Sequence, residues 1–187
     1  MPGGEGAAAA FSLFAGKFAF YAVIWYNGVS GKEGIALRDE EAMLLALEEA
    51  RAAAEAGEVP VGAVLVRGDE VIARARNRRE ADQDPTAHAE MLALRAGARV
   101  LHSRRLSGCT LYVTLEPCPM CAGALAMAQL ERCVWGAADA RCGCCGSVYD
   151  LPADPALGGS CVWRGGVLRG DCEALLRDFF RQRRGGA

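Results

Sequence analysis

The sequence predicts an α/β domain in which a mixed five-stranded sheet is flanked by helices on both faces. Three observations lead to this fold class. Short apolar and β-branched segments typical of strands alternate with segments of helical spacing, and a tight turn joins the first two strands. A hairpin followed by alternating strands and helices gives a sheet with both antiparallel and parallel neighbours, covered on each face. With 187 residues, 52% of them hydrophobic, the chain is long enough for one such domain.

Residues that start or stop regular structure mark the element boundaries. Acidic residues from Asp39 suit the positive end of a helix, Gly57 suits its end, and a turn at Gly68 separates two strands. Thr86 is expected to cap the next helix, and Pro117 stands before another. In chain order we predict a helix that begins near 39 and ends before Gly57, strands 61–66 and 70–76, loop 77–85, a helix capped by Thr86 that runs to about 98, strand 109–114, helix 117–130, strand 132–136, loop 137–160, strand 161–164 and helix 171–184.

Residues 1–36 form an extension whose composition differs from the rest. Both lysines lie in it, and residues 7–26 are apolar except for Ser12 and Lys17. The length of this apolar segment suits a membrane helix. A lysine near the centre of such a helix, however, raises the free energy of membrane insertion by about 2.5–3.5 kcal/mol. We expect an atypical, poorly ordered or wrongly annotated extension, with a membrane or partner-binding tail as the alternative. Residues 37–187 are expected to form the folded domain.

Charge is distributed unevenly along the chain. The net charge is −2, yet residues 38–90 carry 7 Arg against 13 Asp and Glu, whereas residues 91–187 carry 12 Arg against 8. The second half therefore suits a polyanionic partner better.

Nine cysteines make up about 5% of the chain, which is below the density of a disulfide scaffold. Together with the lack of a clear secretion signal, this favours a reducing cytoplasm.

Two short motifs carry the chemistry, and each lies at the start of a predicted helix. The first contains His88 and Glu90, and the second contains Cys118 and Cys121. Two thiolates and one imidazole are zinc ligands, and three protein ligands leave a fourth position open, as in catalytic sites. Residues i and i+2 do not share a helix face, so His88 must lie in or before the first turn if Glu90 is to reach the same site. A carboxylate there would serve as general acid and base.

Other interpretations of these motifs stay open at the level of residues alone. A single histidine at a helix start is more often a cap or a surface residue. A Cys-x-x-Cys pair could be a redox pair, or half of a zinc knuckle completed by Cys142, Cys144 and Cys145. The combined H-x-E and P-C-x-x-C pattern favours a catalytic zinc site, because it is the signature of zinc deaminases.

The sequence also resembles the cytidine and deoxycytidylate deaminase superfamily, and within it the bacterial tRNA adenosine deaminases of the TadA type. The resemblance runs from about Asp39 to Arg184. The matching segments are 59–63 (VPVGA), 77–78 (NR), 84–90 (DPTAHAE), 111–124 (LYVTLEPCPMCAGA), 135–140 (WGAADA) and 178–184 (DFFRQRR). The H-x-E and P-C-x-x-C residues indicate only a deaminase, whereas the longer blocks together are typical of the tRNA enzymes.

The resemblance implies a three-layer α/β/α cytidine deaminase-like fold and a zinc-dependent hydrolase. Zinc would activate water for attack on C6 of adenine, giving inosine at the wobble position of a tRNA anticodon stem-loop, a form of RNA editing. It further implies a cytoplasmic homodimer with one Zn²⁺ per subunit and no membrane association of the catalytic domain. The implied site residues are Glu90 (catalytic), His88, Cys118 and Cys121 (metal), and Asn77, Asp139, Phe180 and Arg181 (substrate).

Two departures from the family pattern and two rival functions remain. Ala138 stands where the tRNA enzymes often carry a basic residue, and cysteines occupy 142, 144 and 145 where small residues are usual. A second metal at those cysteines would need a further ligand, such as His102 or Cys172.

The rival functions are a deaminase of free guanine, cytosine or a nucleoside, and a zinc-stabilised RNA-binding protein without catalysis. The arginine-rich tail argues against the first rival, and Glu90 against the second.

Overall fold

The computed structural model describes residues 38–185, so the predicted extension over 1–36 lies outside the described residues. The elements alternate between helices and strands after an opening hairpin. They are α1 Asp39–Glu55, β1 Gly62–Arg67, β2 Glu70–Arg76, α2 Arg79–Asp82, α3 Ala89–Val100, β3 Cys109–Leu115, α4 Pro119–Met127, β4 Arg132–Ala137, a 3-10 turn Pro155–Leu157, β5 Val162–Gly165 and α5 Arg169–Gly185.

Within these residues, the five strands form one mixed sheet in the order β2-β1-β3-β4-β5. The hairpin β1–β2 and the pair β1–β3 are antiparallel, while β3–β4 and β4–β5 are parallel. A bulge between Leu65 and Val66 interrupts the hairpin register, which leaves Ile72 of β2 without an opposite residue. The predicted fold class is therefore confirmed.

Helices cover both faces of the sheet because successive strand residues point in opposite directions. Val64, Tyr112 and Val134 face α1 and α5, where they share a core with Met43 and Leu47. The intervening strand residues face α3 and α4 and form the larger core, which includes Leu65, Leu111, Val113, Cys133 and Trp135. Three layers result, as expected. No helix in residues 38–185 is both long and apolar enough to cross a membrane.

The cap of α3 differs from the prediction. The N–H and hydroxyl of Thr86 both donate to Asp84 Oδ1, at 2.7 and 2.6 Å, so Thr86 belongs to an Asx turn before the helix. His88 is instead the N-cap residue, with φ −74° and ψ 150°, and the helix begins at Ala89. The short helix α2 also lies inside the predicted 77–85 loop. The prediction of Thr86 as cap was wrong, because Asp84 offers its side chain a nearer partner.

The sheet topology brings the segments that follow β3 and β4 to one edge of the sheet. Strands β3 and β4 are parallel, so their carboxyl ends lie side by side. The segment that contains Cys118 follows β3, and the segment that contains Asp139 follows β4. Ligand sites of α/β sheets lie beyond the carboxyl ends of parallel strands. The fold therefore places both segments where a binding pocket is expected.

Asp39, the first residue of α1, is the centre of a network of ion pairs and hydrogen bonds that connects α1 to strands β3, β4 and β5. Its carboxylate accepts hydrogen bonds from Arg132 at 2.8 and 2.7 Å, from Arg164 at 2.8 Å and from Tyr112 at 3.1 Å. The hydrogen bonds from Arg132 are the main cause that lowers the pKa of Asp39, and Tyr112 and Arg164 add to it. The ionised carboxylate therefore stabilises the fold above the unfolded-state pKa of about 3.9, and that contribution is lost as pH falls through the lower folded-state pKa.

We expect Asp39→Asn to lower the free energy of unfolding at pH 7 by about 1–3 kcal/mol, since it leaves two arginines without their carboxylate. Urea denaturation at pH 7 and at pH 3 measures this, and the difference from wild type should shrink at pH 3. Glu173→Gln is the matched control, because the Arg169–Glu173 pair is exposed and should contribute less than about 1 kcal/mol. An equal loss in both variants would contradict the assignment.

Candidate active site

Three metal-ligand side chains meet at the edge of the sheet described above. His88 Nδ1 lies 3.7 Å from Cys118 Sγ and 3.6 Å from Cys121 Sγ. The three ligand atoms all lie within 4.8 Å of one another. Sequence reasoning had grouped these three residues, and the fold brings them together over a separation of 30 residues between His88 and Cys118.

Two helix N-termini hold the three residues in place. His88 is the N-cap residue of α3, and Cys118 is the N-cap residue of α4 with Pro119 at the first helical position. Both caps have extended backbone, so their side chains project from the ends of the helices rather than from the sides. The positive ends of two helix dipoles favour thiolates at this point.

The pKa values of the two cysteine thiols in this group shift in opposite directions. Hydrogen bonds, first from Cys121 and then from His88, lower the pKa of Cys118 to about 4, although burial opposes the change. The neighbouring Cys118 is the largest cause that raises the pKa of Cys121, and burial adds to it. The hydrogen bond to Cys118 likewise raises the pKa of His88. Without a metal, Cys118 is thus the thiolate of the pair.

Glu90 lies beside this group in the same pocket. Its side chain is buried, with 4% exposure, and it lines the pocket together with His88 and Cys118. Burial raises the pKa of Glu90, so its carboxylate takes up a proton more readily than an exposed one would. Because His88 precedes the helix, Glu90 in the first turn can reach the same pocket, as the spacing required.

The predicted substrate residues lie at different distances from this pocket. Asn77 and Asp139 line it together with His88, Glu90 and Cys118. Phe180 lines an adjoining groove that shares Asp139 and other residues with the pocket. Arg181 lines neither one; it is an exposed residue of α5 that pairs with Asp178 at 3.1 Å. The fold therefore brings Asn77, Asp139 and Phe180 to the site and leaves Arg181 outside its lining.

The sequence did not indicate two buried carboxylates near the pocket: Glu116, which lines it, and Glu58, which lies behind the lining residue Asn77. Glu58 is 2% exposed and accepts hydrogen bonds from Asn77 Nδ2 at 3.2 Å and from the Ala81 N–H at 2.8 Å. Glu116 is also 2% exposed and accepts three backbone N–H groups from the loop after β4. The one signal in the sequence was a charged residue directly beside an apolar segment in each case, which does not separate a buried carboxylate from an exposed one.

The remaining cysteines have structural positions. Cys109, Cys133, Cys145 and Cys161 lie in the core under α3 and α4, and Cys172 lies in the opposite core. The Cys142 thiol donates to Asp139 Oδ2 at 3.0 Å. Outside the His88 group, no set of three metal-ligand side chains comes together in residues 38–185. The described part of the chain thus shows no knuckle at Cys142–Cys145 and no second metal cluster with His102 or Cys172.

A family model that matches residues 37–137 describes the cytidine and deoxycytidylate deaminase zinc-binding region. The chain belongs to this deaminase family. The curated relatives that it resembles include several tRNA-specific adenosine deaminases. It is 47% identical over 147 residues to the tRNA-specific adenosine deaminase of Bacillus subtilis, an alignment that covers 79% of this chain and 91% of the relative.

Solved structures of this deaminase family agree with the fold. One, from studies of A-to-I editing by tRNA:A34 deaminases at the wobble position, has 41% identity and a TM-score of 0.70 and covers 72% of this chain and 98% of its own. The guanine deaminase of Nitrosomonas europaea has 27% identity and a TM-score of 0.66, covering 75% and 83%. The deaminase fold is shared by both, and the higher identity lies with the tRNA enzyme.

Zinc is the cofactor of this deaminase domain, and the described side chains fit it. One imidazole nitrogen and two sulfur atoms form a borderline-soft donor set that suits Zn²⁺. Cys121 is buried and His88 and Cys118 are partly buried, and two helix N-termini favour the thiolates. Three donors from the protein leave a fourth tetrahedral position for water or substrate, the arrangement of catalytic zinc sites.

Proposed function

We propose that this protein deaminates adenosine to inosine at the wobble position of a tRNA anticodon. The observation that carries the proposal is one pocket in which the His88, Cys118 and Cys121 group lies beside the buried carboxylate of Glu90. Similarity to tRNA-specific adenosine deaminases supports the choice of substrate. A zinc-stabilised RNA-binding protein without catalysis would have no need of an uncoordinated buried carboxylate at this position.

His88, Cys118 and Cys121 would hold the zinc, which supplies a Lewis acid that makes water a better nucleophile at neutral pH. Glu90 would take a proton from the attacking water as it adds to C6 of adenine. Glu90 would deliver that proton to the ring nitrogen next to C6, and would then carry the proton of the new C6 hydroxyl to the amino group, so that the C6–N bond breaks and ammonia departs. Its burial suits this task, because a raised pKa brings the carboxylate closer to the pH at which it works.

Glu116, the other buried carboxylate of this pocket, does not fit that role. Both of its oxygens already accept backbone N–H groups, at 3.0–3.1 Å. Glu116 cannot turn towards an attacking water without giving up these three hydrogen bonds. Asp139, the third carboxylate of the lining, accepts the Arg141 N–H with one oxygen and the Cys142 thiol with the other. Glu90 is therefore the carboxylate assigned to proton transfer, and Asn77 offers a polar side chain to an incoming base.

The groove beside the pocket supports a nucleic-acid substrate over a free base. It is lined by Arg79, Arg141 and the half-exposed ring of Phe180, and neither arginine forms a salt bridge with a carboxylate of residues 38–184. Unpaired guanidinium groups suit backbone phosphates, and an exposed ring suits an unstacked base. By contrast, Arg74, Arg76 and Arg78 are paired with carboxylates and are not available to a phosphate path.

We also propose that the enzyme is a cytoplasmic homodimer. Support for the dimer comes from the family resemblance and from an open apolar groove between α3 and α4, where Met127 is 76% exposed. Sedimentation velocity at micromolar concentration should give the mass of two chains, and a monomer would contradict the dimer. The nine free cysteines support the cytoplasmic location, because thiols stay reduced there. Recovery of the protein in a membrane or secreted fraction would contradict that location.

We expect inosine at the wobble position when the full chain is incubated with an anticodon stem-loop that contains adenosine there. Inosine is read as guanosine after reverse transcription and sequencing. The matched control is the same stem-loop with its adenosine moved one position along the loop, which should stay unchanged. Equal conversion at both positions would contradict recognition of the wobble position.

A further inference from the structure

Glu116 lies at the end of β3, and a loop from the next strand wraps around its carboxylate. Oε2 accepts the N–H of Asp139 at 3.1 Å, and Oε1 accepts those of Cys145 and Ser147 at 3.0 Å each. The three donors lie 23 to 31 residues further along the chain. One buried side chain therefore fixes both ends of the segment 138–147.

The loop has little room to adopt another path around this carboxylate. A Cβ atom at Gly143 would lie 2.3 Å from Glu116 Oε2, so glycine is required for the loop to pass so close. The Cys144 N–H also donates to the Pro117 carbonyl at 2.9 Å, which holds the loop against the segment between Glu116 and Cys118. The loop conformation is thus tied to the same segment that presents the zinc ligands.

The same loop carries side chains that face the substrate. Asp139 and Cys142 line the pocket, and Arg141 lines the adjoining groove. Asp139 is held further, because its Oδ1 accepts the Arg141 N–H at 2.9 Å. The position of these three residues relative to the zinc ligands depends on the backbone that Glu116 holds.

We propose that Glu116 is a positioning residue that holds segment 138–147 as the substrate-facing wall of the pocket. The proposal rests on the proposed function for the identity of the substrate, and on the three backbone contacts for the role of Glu116. A purely structural role would lower stability or zinc content. A positioning role changes substrate binding while zinc and the chemical step are kept, because neither Glu90 nor a zinc ligand takes part in these three hydrogen bonds.

Three variants test this role in the full chain. Glu116→Ala removes all three acceptor contacts, Glu116→Gln keeps one acceptor oxygen, and Gly143→Ala pushes on the carboxylate from the loop side. KM for the wobble-adenosine stem-loop should rise about 10-fold in Glu116→Ala and less in Glu116→Gln, with kcat and zinc content kept. Hydrogen–deuterium exchange should speed up in peptides that cover 138–148. Gly170→Ala is the control, since a Cβ there meets nothing within 4 Å.

Unchanged exchange of 138–148 in the Glu116 variants would overturn the proposal, and so would faster exchange with an unchanged KM. Loss of zinc in step with loss of activity would show a structural role instead. If Glu116→Ala does not fold, Glu116→Gln and Gly143→Ala decide between these outcomes. A wild-type chain that deaminates no stem-loop would refute the proposed function, and the exchange measurement would then decide by itself whether Glu116 holds the loop.

Discussion

Replacing Glu90 with glutamine is expected to lower kcat by a factor of about 10²–10⁴ while zinc stays bound, because general acid–base catalysis contributes rate factors of that size. Glutamine has nearly the shape of glutamate but cannot accept and return the proton. The side chain is buried next to Cys121, so a neutral replacement leaves no unpaired charge in the pocket. Single-turnover deamination of the wobble-adenosine stem-loop measures the loss, and metal analysis of the same sample measures zinc.

The buried carboxylate Glu116 offers a matched control for Glu90→Gln. Both residues line the pocket, but only Glu90 is free to transfer a proton. Glu116→Gln should therefore keep kcat within about a factor of a few, far from the 10² expected of a general base. A Glu90→Gln enzyme that turns over at close to the wild-type rate would refute the assignment of Glu90. A similar loss of kcat in both variants would contradict the distinction between Glu90 as the general acid and base and Glu116 as a positioning residue.

Replacing either Cys118 or Cys121 with serine is expected to remove zinc and activity together. The hydroxyl of serine is a much poorer zinc ligand than a thiolate, and the site has only three protein donors to begin with. Zinc content should fall from about one ion per chain to a small fraction, as structural and catalytic zinc sites both need their full ligand set. Metal analysis after dialysis against a mild chelator gives the stoichiometry.

Cys133→Ser separates loss of a ligand from loss of a buried cysteine. Cys133 is fully buried in β4 and packs in the core under α3 and α4, and it is not a member of the group of three ligands. Its replacement should lower the free energy of unfolding by about 1–3 kcal/mol, because a buried hydroxyl replaces a thiol, while zinc content is unchanged. Zinc loss in Cys133→Ser equal to that in Cys118→Ser would contradict the proposed ligand set.

The parts of the site that depend on short-range geometry could be predicted from the sequence. The P-C-x-x-C residues place two sulfur atoms around one helix start, and the position of His88 before its helix follows from the need for Glu90 to reach the same pocket. The order of strands and helices was also predictable, because hydrophobic periodicity and the turns at glycine and proline are local signals. Predicted and observed boundaries differ by at most one residue at strand ends and by up to three at helix ends, as at α3, where Thr86 is not the cap.

The parts that depend on distant contacts could not be predicted. Glu58 and Glu116 are buried because backbone N–H groups from other segments surround them, and nothing in the neighbouring residues of the sequence indicates those partners. The pairing of Arg74 with Glu48 and Glu49 also depends on the packing of α1 over the hairpin, because these residues are far apart in the sequence. The position of Arg181 outside the pocket likewise follows from the orientation of α5.

The most direct test of the account compares three substrates with one zinc-loaded preparation: the wobble-adenosine stem-loop, free guanine and free cytosine. The pocket, the adjoining groove with its unpaired arginines, and the similarity to tRNA-specific adenosine deaminases predict inosine in the stem-loop and no turnover of either free base. Ammonia release gives a common readout, and sequencing locates the inosine. Turnover of guanine or cytosine without any inosine in the stem-loop would contradict the account.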